Sequence, residues 1–208
     1  MIQELNDHGF TDTGTPRKVS MLNDALYSAA SRESWPFLER VVDLTFDGSS
    51  GIPTNLPNTF LRTVTAVNTD SKRKVEWERT DVLEGQGLDW TQTGEAQYFY
   101  QYGPNGLAFW PLPPADQTVR LRYIKRPAPL TDSTVEADIE WPIQHHRAIV
   151  LGALYRLYDL EDDPELAVRF QQHYEQRIIE MIGDVFTRQT DRPERIHTDP
   201  WFDGDIYD

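Results

Sequence analysis

The chain has 208 residues, enough for one domain with a good core and a smaller satellite layer but not for two independent domains of usual size. Its 20 Lys and Arg stand against 34 Asp and Glu, a formal charge of −14 that repels a nucleic-acid backbone and disfavours anionic membranes, so a sequence-reading DNA binder is not expected. The absence of cysteine excludes disulfides, thiolate metal sites and cysteine nucleophiles.

Met1 to Asp7 carries neither a basic n-region nor an apolar h-region, and no stretch approaches the length needed to span a bilayer, so the expected place of synthesis is the cytosol. Ile2 to His8 predicts two turns of helix ending before Gly9. A second helix is expected from Ser20, its N-cap, to Glu33, with Leu22, Leu26 and Ala29 or Ala30 at helical spacing. Pro36 stops it, and Trp35, Phe37 and Leu38 form an apolar knot at the corner where helix gives way to strand.

From Arg40 the period becomes that of strands. Val42, Leu44 and Phe46 alternate with Val41, Asp43 and Thr45, and further strands are predicted over Phe60–Val67, Lys74–Glu78, Gln97–Tyr102, Leu107–Trp110 and Thr118–Lys125. Gly48 to Gly51, Asn68 to Asp70, Gly103 to Gly106 and Pro113 to Asp116 supply the turns. In the last strand Val119, Leu121 and Tyr123 face a core while Arg120, Arg122 and Lys125 mark the wet face or its end. The pattern predicts an antiparallel meander, with one helical turn at Thr80 to Leu83 and a loop from Gly85 to Gly94.

Asp132, Glu136, Asp138 and Glu140 mark an acidic loop, and Trp141-Pro142 opens the next helix with proline in its first turn. Ile149, Ala153, Leu157 and Leu160, widened by Val150 and Leu154, give it an apolar stripe. Asp163 is read as the cap of a further helix with Pro164 at its first position, and Leu166, Phe170, Tyr174, Ile178 and Ile182 recur every four residues. So short a connection requires an antiparallel hairpin. Residues 191–208 break the pattern: two prolines and six acidic residues against two arginines surround the apolar anchors Trp201, Phe202, Ile206 and Tyr207. A segment of that kind is expected to be loose alone and to order on a partner. The fold class is therefore α+β: a helical bundle (residues 1–39 with the hairpin of 140–190), an inserted antiparallel, barrel-like β layer (40–127), and an extended tail (191–208) beyond one domain spanning 1–190.

Catalytic and metal-binding readings are weak. His145-His146 point to different sides of a helix, one packed and one on the surface; His173, a hairpin arm away, is within approach, His8 and His197 lie on segments whose placement the pattern leaves open, and no metal is assigned. Asp162-Asp163 and Glu76 with Glu78 are carboxylate pairs without a pocket, and Gly85-Gln86-Gly87 lacks both the remaining glycine and the helix of a phosphate loop. No catalytic, cofactor-binding or metal residue is assigned. The cations Arg120, Arg122, Lys125 and Arg126 are a candidate protein interface rather than a DNA reader.

The order of these pieces resembles the head-to-tail connector (adaptor) proteins of tailed bacteriophages. The resemblance rests on a short helix at Ile2 to His8, the Gly9-Phe10 turn, a helix running into Trp35-Pro36-Phe37-Leu38-Glu39, the strand Val119 to Pro127, the linker Pro129-Leu130-Thr131-Asp132, the Ala-, Leu- and Tyr-rich helix Ala148 to Tyr158, and the acidic turn Glu161 to Pro164. It covers nearly all of residues 1–190 and leaves the tail unmatched. Thr11 to Lys18, with Gly14 and Pro16, departs from the compact family turn. The resemblance implies a dodecameric ring under the portal protein, joined below to a tail or nozzle (tail-completion) protein, with DNA passing through its channel without sequence-specific binding. It implies a virion component of the neck, made in the host cytoplasm, with no cofactor and no membrane. Two readings compete: a carbohydrate-binding or carbohydrate-cleaving β domain, argued from Trp77, Trp90 and Trp110 as sugar-stacking surfaces, and a soluble chaperone or regulatory protein using the acidic tail.

Overall fold

The structure is a computed structural model that describes residues 1–103, 106–134 and 136–190. Three long helices pack as a bundle against one end of a curled, six-stranded half-barrel, with a short N-terminal helix clamped to the bundle. The expected α+β class is thus the observed one; the extended tail lies outside the described residues.

Helix α1 spans Ile2–Asp7 and ends at Gly9, whose φ of 95° suits a residue without a side chain. The reversal directs Phe10 onto Tyr158 (ring centroids 4.9 Å), and the Tyr158 hydroxyl donates to the His8 carbonyl at 3.0 Å. Leu5 and Phe10 are buried, and the Lys18 ammonium donates to Asn6 Oδ1 at 2.6 Å, fixing the first helix to the second. Helix α2, Thr15–Arg32, begins more than a turn before the expected Ser20. Gly14 and Pro16 start the helix instead of interrupting it, because a proline in the first turn lacks an N–H that has no helical acceptor there anyway. Its buried face is Leu22, Ala25, Leu26, Ala29 and Ala30, and the small residues let a neighbour come close.

That neighbour is α4, His146–Leu160, preceded by a tight turn at Ile143–His145 that places Pro142 just outside the helix proper. Lying between α2 and α5, Pro164–Thr190, it is buried almost all round from Ala148 to Leu154. Gly152 marks the tightest point: a Cβ there would lie 2.9 Å from the Ala25 methyl carbon and 3.0 Å from the Tyr174 ring. The expected stripe stops short of Leu160, which is exposed because the chain reverses into α5 just beyond it. Asp162 makes that reversal with a φ of 56°, and Asp163 Oδ1 accepts the Leu166 N–H at 3.1 Å, the cap expected from the sequence. The stripe from Phe170 to Ile182 faces the bundle, joined by the buried Met181.

Strands β1 (Glu39–Thr45), β2 (Phe60–Asn68), β3 (Lys74–Trp77), β4 (Tyr98–Tyr102), β5 (Gly106–Trp110) and β6 (Thr118–Lys125) fall close to the expected boundaries, with a short helix α3 at Thr80–Gly85. The order is β1-β6-β2-β3-β4-β5. This corrects the simple meander: β6 inserts between β1 and β2, and β3 runs parallel to β4 through Glu76↔Tyr98 and Trp77↔Phe99. The α3 crossover and the loop after it return the chain to the same end of the sheet, which a tight hairpin does not do.

Leu121 and Tyr123 enter a sheet core with Leu44, Phe46, Phe99 and Phe109, whereas Ile124 joins the bundle core. The two-residue period explains the division: the face that carries Arg120 and Arg122 into water is covered by the bundle at Ile124. Trp35 closes the junction. Fully buried, it donates its indole N–H to the Ala29 carbonyl at 2.8 Å and packs on Phe37 (5.8 Å), Trp141 (5.6 Å) and Phe186 (6.1 Å). Trp35→Ala is expected to lower the unfolding free energy by about 3–5 kcal/mol, measured by denaturant titration. Gly152→Val should cost about 2–3 kcal/mol by overpacking three helices at once, whereas the same change at exposed Gly183, with open space around it, leaves the helix contacts intact.

Candidate functional site

The four cations expected to form an interface do not form one patch. Register sets Arg120 opposite Asp43 on β1, and the pair is bidentate: Nε to Oδ1 at 2.8 Å and Nη2 to Oδ2 at 3.0 Å. Arg122 reaches diagonally to Glu39 at 2.7 Å. These guanidiniums are exposed and form a cross-strand ladder of alternating sign. The Arg120 hydrogen bond holds the Asp43 carboxyl below its ordinary value.

Lys125, at the end of β6, belongs to a different setting. Its ammonium pairs with Glu140, which also accepts the Ala128 N–H at 3.3 Å and lies 3.9 Å from Arg40. Burial pushes the Glu140 carboxyl up, but the Lys125 hydrogen bond, the Ala128 N–H and the two positive charges prevail and hold it below its ordinary value. One acidic side chain thus ties two strands to the segment leading into α4. Arg126 lies past the strand end, its side chain beside Tyr27, Leu61 and Pro127 and its N–H donated to the Thr59 carbonyl at 2.6 Å.

The histidines correct another expectation: both His145 and His146 are buried, where one was expected at the surface. His146 Nε2 lies 2.7 Å from the Trp141 carbonyl, and His145 Nε2 lies 3.7 Å from Asp184 across the hairpin. His173 is exposed, edge-on to Phe170. Among the described residues no group of three or more His, Asp and Glu could hold a metal ion. The carboxylate pairs are structural: Asp163 caps α5, and Glu78 Oε1 accepts the Arg79 N–H at 2.9 Å. The tryptophans are separated in role. Trp110 is buried with its N–H on the Asp89 carbonyl (2.9 Å), Trp90 stands edge-on to Tyr100, and Trp77 is 58% exposed. No helix among the described residues is long and apolar enough to cross a membrane. Trp201, Phe202, Ile206 and Tyr207 lie outside the described residues.

Two features escaped the sequence reading. Asn23 exchanges two hydrogen bonds with Leu130, N–H to Oδ1 at 2.7 Å and Nδ2 to carbonyl at 2.9 Å, and so fastens α2 to the linker after β6. Arg62 of β2 places Nε and Nη2 out of contact with solvent and without a hydrogen bond. Neither carries a local signal, since a lone Asn or a strand Arg reads as ordinary surface.

Most of the charged groups described above pair within the subunit and hold its own layers together. Residues 2–198 match the family model of the SU10 adaptor protein, and the chain belongs to that family: it is a phage adaptor protein, with a structural, non-enzymatic role in the virion. The match runs eight residues into the segment that had no counterpart in the sequence resemblance, since 198 lies eight past 190. No curated protein matches the chain.

Glu140→Gln is expected to lower stability by about 1 kcal/mol near neutral pH, the net size of a typical hydrogen bond at a partly exposed site. Because the folded state favours ionised Glu140, its contribution is complete above the ordinary value of 4.5 and fades as pH falls through the lower folded value. The gap between wild type and Glu140→Gln in urea titrations should therefore shrink on acidification below that point. Arg120→Ala, removing an exposed and solvent-screened pair, should leave the urea midpoint almost unchanged.

Proposed function

We propose that the protein forms a ring of twelve copies beneath the portal protein, joins it to a tail or nozzle (tail-completion) protein, and lines the passage for DNA. The match to the adaptor family carries this reading. Two physical features support it. The −14 charge disfavours adhesion of DNA to the wall of a channel. Val168 and Ile179 are 52% and 67% exposed on α5, and a separation of eleven residues, close to three helical turns, sets them on one outward face suited to lateral contact with a neighbour.

Residues 1–190 act as one unit in this scheme. Arg120 and Arg122 present a patterned charged face to a partner, whereas Lys125 is assigned to the junction and Arg126 to the groove beside α2. The acidic segment 191–208, with Trp201, Phe202, Ile206 and Tyr207, is the docking element. Assembly takes place in the host cytoplasm, and the finished ring resides in the neck of the virion.

Like-charged subunits repel in dilute solution, so mass photometry should find the 24.1 kDa monomer alone, and electron microscopy should find twelve-fold rings once portal is added. Stable free rings of another symmetry, or a monomer that binds glycans and ignores portal, would contradict the reading. Deleting residues 191–208 should abolish portal occupancy with an unchanged melting temperature; full occupancy by the shortened chain would remove the tail from docking.

A further inference from the structure

Strand β2 pairs with β6 along most of its length but with β3 only at Ala66 and Val67. Phe60 to Thr65 therefore present a strand edge without a strand partner among the described residues. Beyond Val75 the short β3 turns to β4, and the divergence opens a cleft of about 320 Å³ whose walls include Val64, Trp77, Phe99 and Leu107. Register irregularities between Phe60 and Arg62 and between Thr63 and Thr65 re-aim the side chains at this edge.

Arg62 lines the same cleft. Its Nε and Nη2 are shielded from solvent and unbonded, as is Thr63 Oγ1, and Arg62 enters none of the ion pairs among the described residues. A guanidinium stays charged, and shielded charged donors without acceptors are unfavourable until an acceptor arrives. In a chain with 34 acidic and 20 basic residues, guanidinium nitrogens shielded in a cleft of mixed apolar and polar lining, with no acceptor among the described residues, are a specific feature.

The chain itself holds a segment of complementary chemistry. Phe186 of α5 packs on Trp35 at the bundle–sheet junction, where Leu61 at the start of β2 also meets the bundle core, so the last helix runs toward the end of the sheet that bears the cleft. The 18 residues after Thr190 reach roughly 60 Å when extended. In an extended strand, Trp201, Asp203, Asp205 and Tyr207 share one face: two carboxylates flanked by two aromatic rings.

We propose that the cleft receives Trp201 to Asp208 of a copy of this chain, added as a strand along the open edge of β2, with Asp203 or Asp205 accepting hydrogen bonds from Arg62 and the aromatic rings against Trp77 and Phe99. Main-chain pairing supplies the affinity and the carboxylate fixes the register, the logic of strand addition at a sheet edge. The inference rests on the reading of the tail as a docking element and gives it a receptor within the adaptor itself.

The cysteine-free chain permits a direct trap in the full-length protein without portal. Val64→Cys with Tyr207→Cys, which shares the face of Asp203 and Asp205, should form a disulfide about tenfold faster than a control pair joining Tyr207→Cys to exposed Ser20→Cys, the ratio expected from about 1.4 kcal/mol of specific docking. Adding Arg62→Gln should return the rate to that of the control while the melting temperature holds or rises, since Nε and Nη2 of Arg62 have no hydrogen bond to lose among the described residues; Arg62→Lys should restore part of the rate. A trap no faster than the control, or one indifferent to Arg62→Gln, overturns the proposal. Monomeric and dimeric cross-linked products on a gel distinguish docking within a chain from docking between chains, and both support it. If the trap fails while tail deletion still strips the protein from portal, the cleft assignment falls and the docking role of the tail stands.

Discussion

The indole of Trp35 is the contact on which the rest of the structure depends. It terminates α2 by bonding to the Ala29 carbonyl, stacks the corner residue Phe37 beneath it, and gathers Trp141 from the approach to α4 and Phe186 from the end of α5. Three chain segments far apart in sequence thus meet on one ring system just before β1 leaves for the sheet. Large aromatic surfaces suit this place because each buries much area at little cost in rotamer freedom. With the corner fixed, Leu38 and Ile124 carry the end of the sheet into the bundle core, and β6 lies in both layers at once.

Electrostatics secures the same junction from outside. A chain with so few cations sets Lys125 and Arg40 on a single carboxylate, Glu140, and uses Arg120 and Arg122 to keep β1 against β6. The exposed pairs add little stability individually, but they discharge part of the acidic excess at the strand seam and fix its register. For an adaptor, whose task is to hold surfaces at set positions between other virion proteins, such a rigid seam matters more than a reactive group. Arg62 differs from these: its Nε and Nη2 are shielded from solvent and have no hydrogen bond among the described residues.

Much of this was legible in the sequence. Strand boundaries came within a few residues because Val42, Leu44 and Phe46, or Val119, Leu121 and Tyr123, alternate cleanly, and the hairpin was readable because Asp163-Pro164 is both a cap and a first turn. Ser20 misled because a good capping residue is also tolerated inside a helix, and Gly14 with Pro16, read as a departure from the compact family turn, is where that helix starts. The parallel contact of β3 with β4 was hidden, since two paired residues on each strand leave no periodic trace. The burial of His145 depended on how α5 crosses above it, a fact of tertiary packing. As for the site, the cations of β6 were found, but their division between ladder, junction and groove follows from partners on β1 and at Glu140 that only the fold brings near. Arg62 gave no sign because its meaning lies in what fails to face it.

The central claim is that the Trp35 corner makes bundle and sheet one cooperative body. Native-state hydrogen exchange measures this most directly. The account predicts that the amides of Leu121 to Ile124 in β6 and of Ile149 to Leu154 in α4 open with the same free energy and the same dependence on denaturant, as members of one unfolding unit. Sheet amides that exchange through a separate, lower-energy opening while α4 stays protected would contradict it.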